Sequence, residues 1–235
     1  MNKIHNFKSI ESAVFRISCG EKNGTAFLVN KEDGRQILLT SNHTLSYCEN
    51  NDICIHLEDG SIISAEILIQ IPDKDVAVIE INARISNSTS LPLRSELVAY
   101  NDQWDTFGFP AERINAGARF NGSISRTNEG TKWDIDLECT QYNNLTDFEG
   151  VSGSPLIVDG YVTGIIGYDI TGGLGATSIL SIEEKLLELG VTFIKDNYNP
   201  VPISIEDELP QTTPNTEVFD KIEETVSERK NSSYL

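Results

Sequence analysis

The chain is short of cations, of sulfur and of uninterrupted apolar sequence, and each shortage closes off a class of function. Its 235 residues hold 18 Lys and Arg against 36 Asp and Glu, a formal net charge of −18 with pI near 4.4. Such a field repels phosphate backbones and anionic headgroups, so neither nucleic acid nor membrane is an expected partner. No apolar run approaches the ~20 residues of a membrane-spanning helix. The N-terminus, "MNKIHNFKSIESAVFRISCG", lacks the apolar stretch and the small-residue cleavage site of an export signal. The four cysteines, Cys19, Cys48, Cys54 and Cys139, show no metal-ligand spacing, and no metal or cofactor is expected. Cys48 and Cys54 are spaced to face each other across a hairpin. Without an export signal, the expectation is reduced thiols in a cytoplasmic protein.

What is present is strand. A chain of this length suits one medium domain, or two small ones sharing an interface, and it buries roughly 70–75% of its unfolded surface. Up to about residue 180 it runs as short alternating segments rich in β-branched residues, separated by Gly, Asn and Asp. The first group is "SAVFRISC", "TAFLVN", "QILLTS", "ICIHL", "SAEILIQI" and "VAVIEI". The second is "WDTFGF", "ARFNGSIS", "WDIDLECT", "PLIV", "YVTGIIGY" and "ATSIL". Six strands and then six strands predict an all-β protein of two antiparallel barrels or sandwiches. The first barrel falls at about 10–85 and the second at about 100–180, with the polar "NARISNSTSLPLRSE" connecting them. One helix closes the region at 181–190, "SIEEKLLELG", where Ser181 and Glu184 have capping-box spacing and Gly190 supplies the stop.

Chemistry is suggested by "DFEGVSGSPLIVDGYVTGIIGY", in which a serine between glycines, Ser152, precedes an apolar strand. Alone, the turn reads equally well as a plain surface loop. A serine hydroxyl is a poor nucleophile at neutral pH. It needs a base, a carboxylate to orient that base, and backbone N–H donors for the developing oxyanion. Gly150 and Ser152 can supply those donors from one turn. The base is one of three histidines. His5 lies in the N-terminal segment, and His56 alternates within a strand as a sheet-face residue. His43 stands at the strand-to-loop junction "TSNHTL". In "IPDKDVAVIEI", Asp73 reads as an exposed turn residue, whereas Asp75 abuts an apolar run that can bury it.

The blocks "GTAFLVN…QILLTSNHTL", "DKDVAVIEI" and "GVSGSPLIVDGYVTGI", with "GATSILSIEEKLLELG" after them, resemble the trypsin-like (chymotrypsin-fold, family S1) serine peptidases over roughly residues 10–195. They are most similar to compact bacterial Deg/HtrA-type domains without a PDZ domain. The resemblance implies two six-stranded Greek-key barrels with a site in the cleft between them. It implies His43 as base, Asp75 as its orienting partner, Ser152 as nucleophile, and Gly150 with Ser152 as oxyanion donors. The reaction would be endopeptidase cleavage of a protein or peptide substrate. A catalytically silent peptide-binding module is the alternative. The resemblance places the pocket before the scissile bond at Thr146, Asp147, Gly167, Tyr168 and Asp169, with Gly175 and Ala176 opposite. Small or medium uncharged residues should enter it, basic ones are the rival, and acidic ones should be rejected. There are departures. Thr44 stands where secreted trypsins have a disulfide cysteine. Val151 replaces the Asp that in them pairs with a freed N-terminus, which leaves open whether the oxyanion loop is fixed in its active form at rest.

From about residue 200 the character changes to "PVPISIEDELPQTTPN" followed by "TEVFDKIEETVSERK", with eight acidic and three basic side chains over 200–235. Such a tail is either a solvated end or a short helix over 215–230. In the second case Val218, Phe219, Ile222 and Val226 form one apolar face that docks on a partner protein or on the barrels.

Overall fold

The computed structural model describes residues 7–46, 48, 52–86, 88–128, 132–142, 148–170 and 173–194, with backbone alone at Phe7 and at 168–170. The tail, and the docking stripe expected on it, lie outside the described residues. The first six strands are β1 (Val14–Cys19), β2 (Lys22–Asn30), β3 (Gln36–Ser41), β4 (Ile53–His56), β5 (Ile62–Ile71) and β6 (Val76–Ile81). They close into an antiparallel barrel in the order β1-β2-β3-β6-β5-β4. The second six are β7 (Gln103–Gly108), β8 (Ala118–Thr127), β9 (Ile135–Cys139), β10 (Ser154–Val158), β11 (Tyr161–Ile170) and β12 (Gly173–Ser178). They close in the order β10-β11-β12-β9-β8-β7. All twelve expected strands form, and closure leaves no free sheet edge to manage.

Burial shows how the barrels meet. Every residue of β3 and of β10 is buried, so these strands are covered on both faces. One face looks into its own barrel; the other meets the neighbouring one, where β2 packs on β10 and β3 on β11. Barrel-two residues Phe107, Ile157, Val162 and Ile165 therefore join the apolar core of barrel one, while Trp104, Phe120, Ile124 and Leu156 fill barrel two. This packing sets the C-terminal end of β3 beside the turn that precedes β10.

Four local expectations are corrected. The connection is not merely polar: Leu91, Pro92 and Leu93 are buried in it. Leu91 N–H donates to Leu28 O at 2.8 Å, Val162 N–H to Pro92 O at 2.9 Å and Ile194 N–H to Leu93 O at 2.8 Å, a strap tied to both barrels. The capping box does not form. The final helix α2 runs Glu183–Glu188 after a 3-10 turn at Leu180–Ile182, and the Ser181 hydroxyl bonds back to Ser178 O at 2.9 Å instead. Its end is as expected: Gly190 has φ 72°, its N–H reaches Leu187 O and that of Val191 reaches Leu186 O, a Schellman stop. The expectation of reduced thiols fails for two of the four cysteines: Cys48 is disulfide-bonded to Cys19, 29 residues away with Cα atoms 5.2 Å apart, and does not pair with Cys54. Cys54 and Cys139 are the free thiols. Finally, a short helix, α1 (Phe7–Glu11), precedes β1 where none was expected; its Ile10 is buried against barrel one.

Candidate active site

The site begins with a register. Pairing of Ser41 with Val76 brings the residues after β3 face to face with the residue before β6. There the chain turns into a 3-10 segment, Asn42–Leu45, that carries His43. Asn42 N–H donates to the Asp75 carbonyl at 2.9 Å, and His43 N–H to Asp75 Oδ1 at 2.9 Å. The other carboxylate oxygen, Oδ2, lies 2.6 Å from His43 Nδ1. A carboxylate can only accept, so Nδ1 carries the proton and Nε2 is left as the basic nitrogen. The Asp75 side chain is 2% exposed and that of His43 44%. One partner is sealed into the protein and the other opens to the cleft. Asp75 adopts φ 52°, a left-handed conformation that Asp tolerates better than most residues. Asp73 is exposed, as its place in the turn suggested.

Across the cleft, Ser152 sits in the turn leading into β10. Two left-handed glycines shape that turn, Gly150 at φ 91° and Gly153 at φ 92°. Both are needed for space as well as for conformation: a Cβ at Gly150 would strike the Phe109 carbonyl, and one at Gly153 the Thr25 carbonyl. The carbonyls of the turn all face protein donors. Ala111 N–H reaches Glu149 O at 2.8 Å and Thr25 N–H reaches Ser152 O at 2.9 Å. The Thr25 hydroxyl reaches Gly150 O at 2.7 Å, and the Ser154 hydroxyl reaches Val151 O at 2.6 Å. The N–H groups behave differently. Among the described residues, neither Gly150 N–H nor Ser152 N–H donates a hydrogen bond. The Ser152 hydroxyl donates to Gly167 O at 3.4 Å, a long bond that holds it weakly.

His43 and Ser152 line one cleft of about 570 Å³. Phe148, Val151, Ile166 and Leu174 form its apolar wall; Lys22 and Lys132 bring cations that the sequence reading did not single out. Of the expected pocket residues, Gly167 lines this cleft. On the backbone, Tyr168 pairs with Gly175 and Asp169 with Leu174, and Ala176 is buried opposite Ile166. Thr146, Asp147 and the side chains of Tyr168 and Asp169 lie outside the described residues.

The remaining histidines are elsewhere. His5 lies outside the described residues. His56 is a sheet-face residue on β4: its Nδ1 accepts from Arg16 at 2.6 Å and its Nε2 lies 2.8 Å from the Ser18 hydroxyl. Partial burial, and then the Arg16 charge, push its pKa below the ordinary imidazole value. Among the described residues, no group of three or more His, Cys, Asp or Glu is placed to hold a metal ion.

Comparison with known proteins agrees with the architecture. A family model described as a trypsin-like peptidase domain matches residues 24–165, well over half of the chain. No curated protein matches by sequence. Among solved structures, the Rv3671c protease in its inactive form superposes with a TM-score of 0.61 at 18% identity, over 78% of this chain and 91% of that one. At that identity the likeness speaks for the shared fold.

Proposed function

Because the chain belongs to the trypsin-like peptidase domain family, we propose that it is a serine endopeptidase in which Ser152, His43 and Asp75 act as a triad on a protein or peptide substrate. In this reading His43 Nε2 takes the Ser152 proton as Oγ attacks the scissile carbonyl carbon. The carbonyl oxygen becomes an oxyanion between the Gly150 and Ser152 N–H groups. The carbon–nitrogen bond then breaks, with His43 returning the proton to the departing amine, and water hydrolyses the resulting acyl-serine by the same steps. Asp75 holds the Nδ1–H tautomer throughout.

One observation carries the reading. A single cleft is lined by an oriented imidazole and a loosely held serine hydroxyl, and the serine turn carries two backbone donors with no protein partner among the described residues. A silent binding module has no use for donors kept free in this way. Fluorophosphonate labelling tests it. Wild-type protein should be modified at Ser152, while Ser152→Ala and His43→Ala should not. Absence of label on folded wild-type protein would refute the assignment and leave the silent module standing.

A further inference from the structure

We propose that Thr25 is the positioning residue that fixes the oxyanion loop, a role that rests on the peptidase reading above. In a trans peptide the C=O and N–H point in opposite directions, so pinning a carbonyl aims the amide behind it. Ala111 N–H pins Glu149 O at 2.8 Å, and this aims the N–H of Gly150. Ser154 pins Val151 O through both its N–H, at 3.0 Å, and its hydroxyl, at 2.6 Å, and this aims the N–H of Ser152.

Between these two units lies the Gly150–Val151 peptide. Gly150 has no side chain to resist a flip, and Val151 has no charge with which to anchor the loop. The N–H end of this peptide is held by Phe148, whose carbonyl accepts from Val151 N–H at 3.0 Å, and the Thr25 hydroxyl holds its carbonyl end. That hydroxyl accepts from Phe109 N–H at 3.1 Å, which leaves its own proton for Gly150 O at 2.7 Å. Phe109 is two residues before Ala111, so one hydroxyl ties the loop to the segment that aims it. The other polar atoms of Thr25 are committed as well: its N–H goes to Ser152 O, and its carbonyl accepts from the Thr40 hydroxyl at 2.7 Å. The side chain is fully buried, so no water competes for these positions. Thr25 lies on β2 of barrel one, while the loop it fixes belongs to barrel two.

The test compares full-length Thr25→Val, which removes only the hydroxyl, with Thr25→Ser, which restores it. Moving a donor by a fraction of an ångström costs less than deleting one, so kcat on a fluorogenic peptide should fall about 10–100-fold in Thr25→Val, with KM within about twofold. Affinity for a peptidyl trifluoromethyl ketone, whose hemiketal oxyanion occupies the same donors, should weaken in parallel. Affinity for the corresponding product peptide should not. Thr25→Ser should recover most of the loss. Wild-type kcat in Thr25→Val, a serine variant no better than valine, or a loss confined to KM would overturn the proposal. If Thr25→Val does not fold, because it strands the Phe109 N–H and Gly150 O, then Thr25→Cys replaces it. That weaker donor should show an intermediate loss of kcat, and an undiminished value would be equally fatal. Fluorophosphonate labelling of the wild type separates the two layers. An unlabelled wild type removes the peptidase reading, whereas a labelled wild type with an unaffected Thr25→Val removes only the role of Thr25.

Discussion

Replacing Asp75 by Asn removes one charge and leaves the shape of the site in place. Asn accepts the left-handed backbone that Asp75 adopts at φ 52°, so the turn into β6 should survive. Its amide oxygen can still accept from His43 N–H where Asp75 Oδ1 does so at 2.9 Å. The amide nitrogen then faces His43 Nδ1 in place of Oδ2, which stood at 2.6 Å. An NH₂ group donates, so Nδ1 must become the acceptor and the proton moves to Nε2. The imidazole then presents a proton to Ser152 where it should present a lone pair, and the imidazolium formed during attack loses its counter-charge. A loss on the order of 10⁴ in kcat is expected, about 5–6 kcal/mol of barrier. If Asp75 served only the fold, its replacement would instead cost about 1.5–3 kcal/mol of stability, as for a hydrogen bond to a charged group, and would appear in the melting temperature. Steady-state kinetics on a fluorogenic peptide and calorimetry on the same preparation separate the two. Asp73→Asn, on the exposed neighbour, is the control and should match the wild type. A kcat within tenfold of wild type in an Asp75→Asn protein that melts normally would refute the orienting role.

Ser152→Ala and His43→Ala should each lower kcat by on the order of 10⁶, and the double variant should be scarcely worse, because the residues act as a unit; additive losses would contradict a shared mechanism. Gly153→Ala should yield little folded protein or a sharply lowered melting temperature, since its Cβ would meet Thr25 O and the Thr40 hydroxyl at φ 92°; a normal melt would mean the turn has another accessible shape. His56 has a folded pKa below its ordinary 6.5, so below about pH 6.5 the unfolded chain binds more protons than the native one. Its share of stability is therefore complete above that pH and is lost as pH falls toward the folded value. His56→Gln should narrow the gap in melting temperature between pH 7.5 and 5.5, and an unchanged gap would assign that acid sensitivity elsewhere.

The twelve strands were readable because period-2 alternation, punctuated by Gly, Asn and Asp, is a local signal; the order in which they pair is not. Closing each group of six then follows from the need to hide edges. That His43, Asp75 and Ser152 stand where a strand begins or ends was readable for a related reason, and the family resemblance named the three together. Thr25 was not readable. Within "GTAFLVN" a threonine is an ordinary strand residue, and its hydroxyl partners lie 84 and 125 positions away. The Cys19–Cys48 pair escaped because reduced thiols were expected in the absence of an export signal, and because spacing alone does not give connectivity among four cysteines. Ser181 had the spacing of a cap, but a nearer acceptor, Ser178 O, claimed its hydroxyl. The buried strap Leu91–Leu93 hid inside a mostly polar connection because its burial depends on surfaces that exist only once both barrels have closed.

The proposed hold of Thr25 on the Ser152 loop also bears on when the molecule would become able to cut. A chain leaves the ribosome N-terminus first, so β1 to β6 can close, and His43 can meet Asp75, while the serine is still being made. The serine turn is not held when it emerges. Gly153 N–H needs Ile166 O, 2.7 Å away in the finished protein, and Ser152 O needs the already folded β2. Neither half would assemble the proposed triad alone: the first lacks Ser152, and a second half released by cleavage in the connection would lack both His43 and Thr25. On the proposed mechanism, the ability to cut therefore waits until the barrels have docked. Until then a growing chain can cut neither itself nor its neighbours.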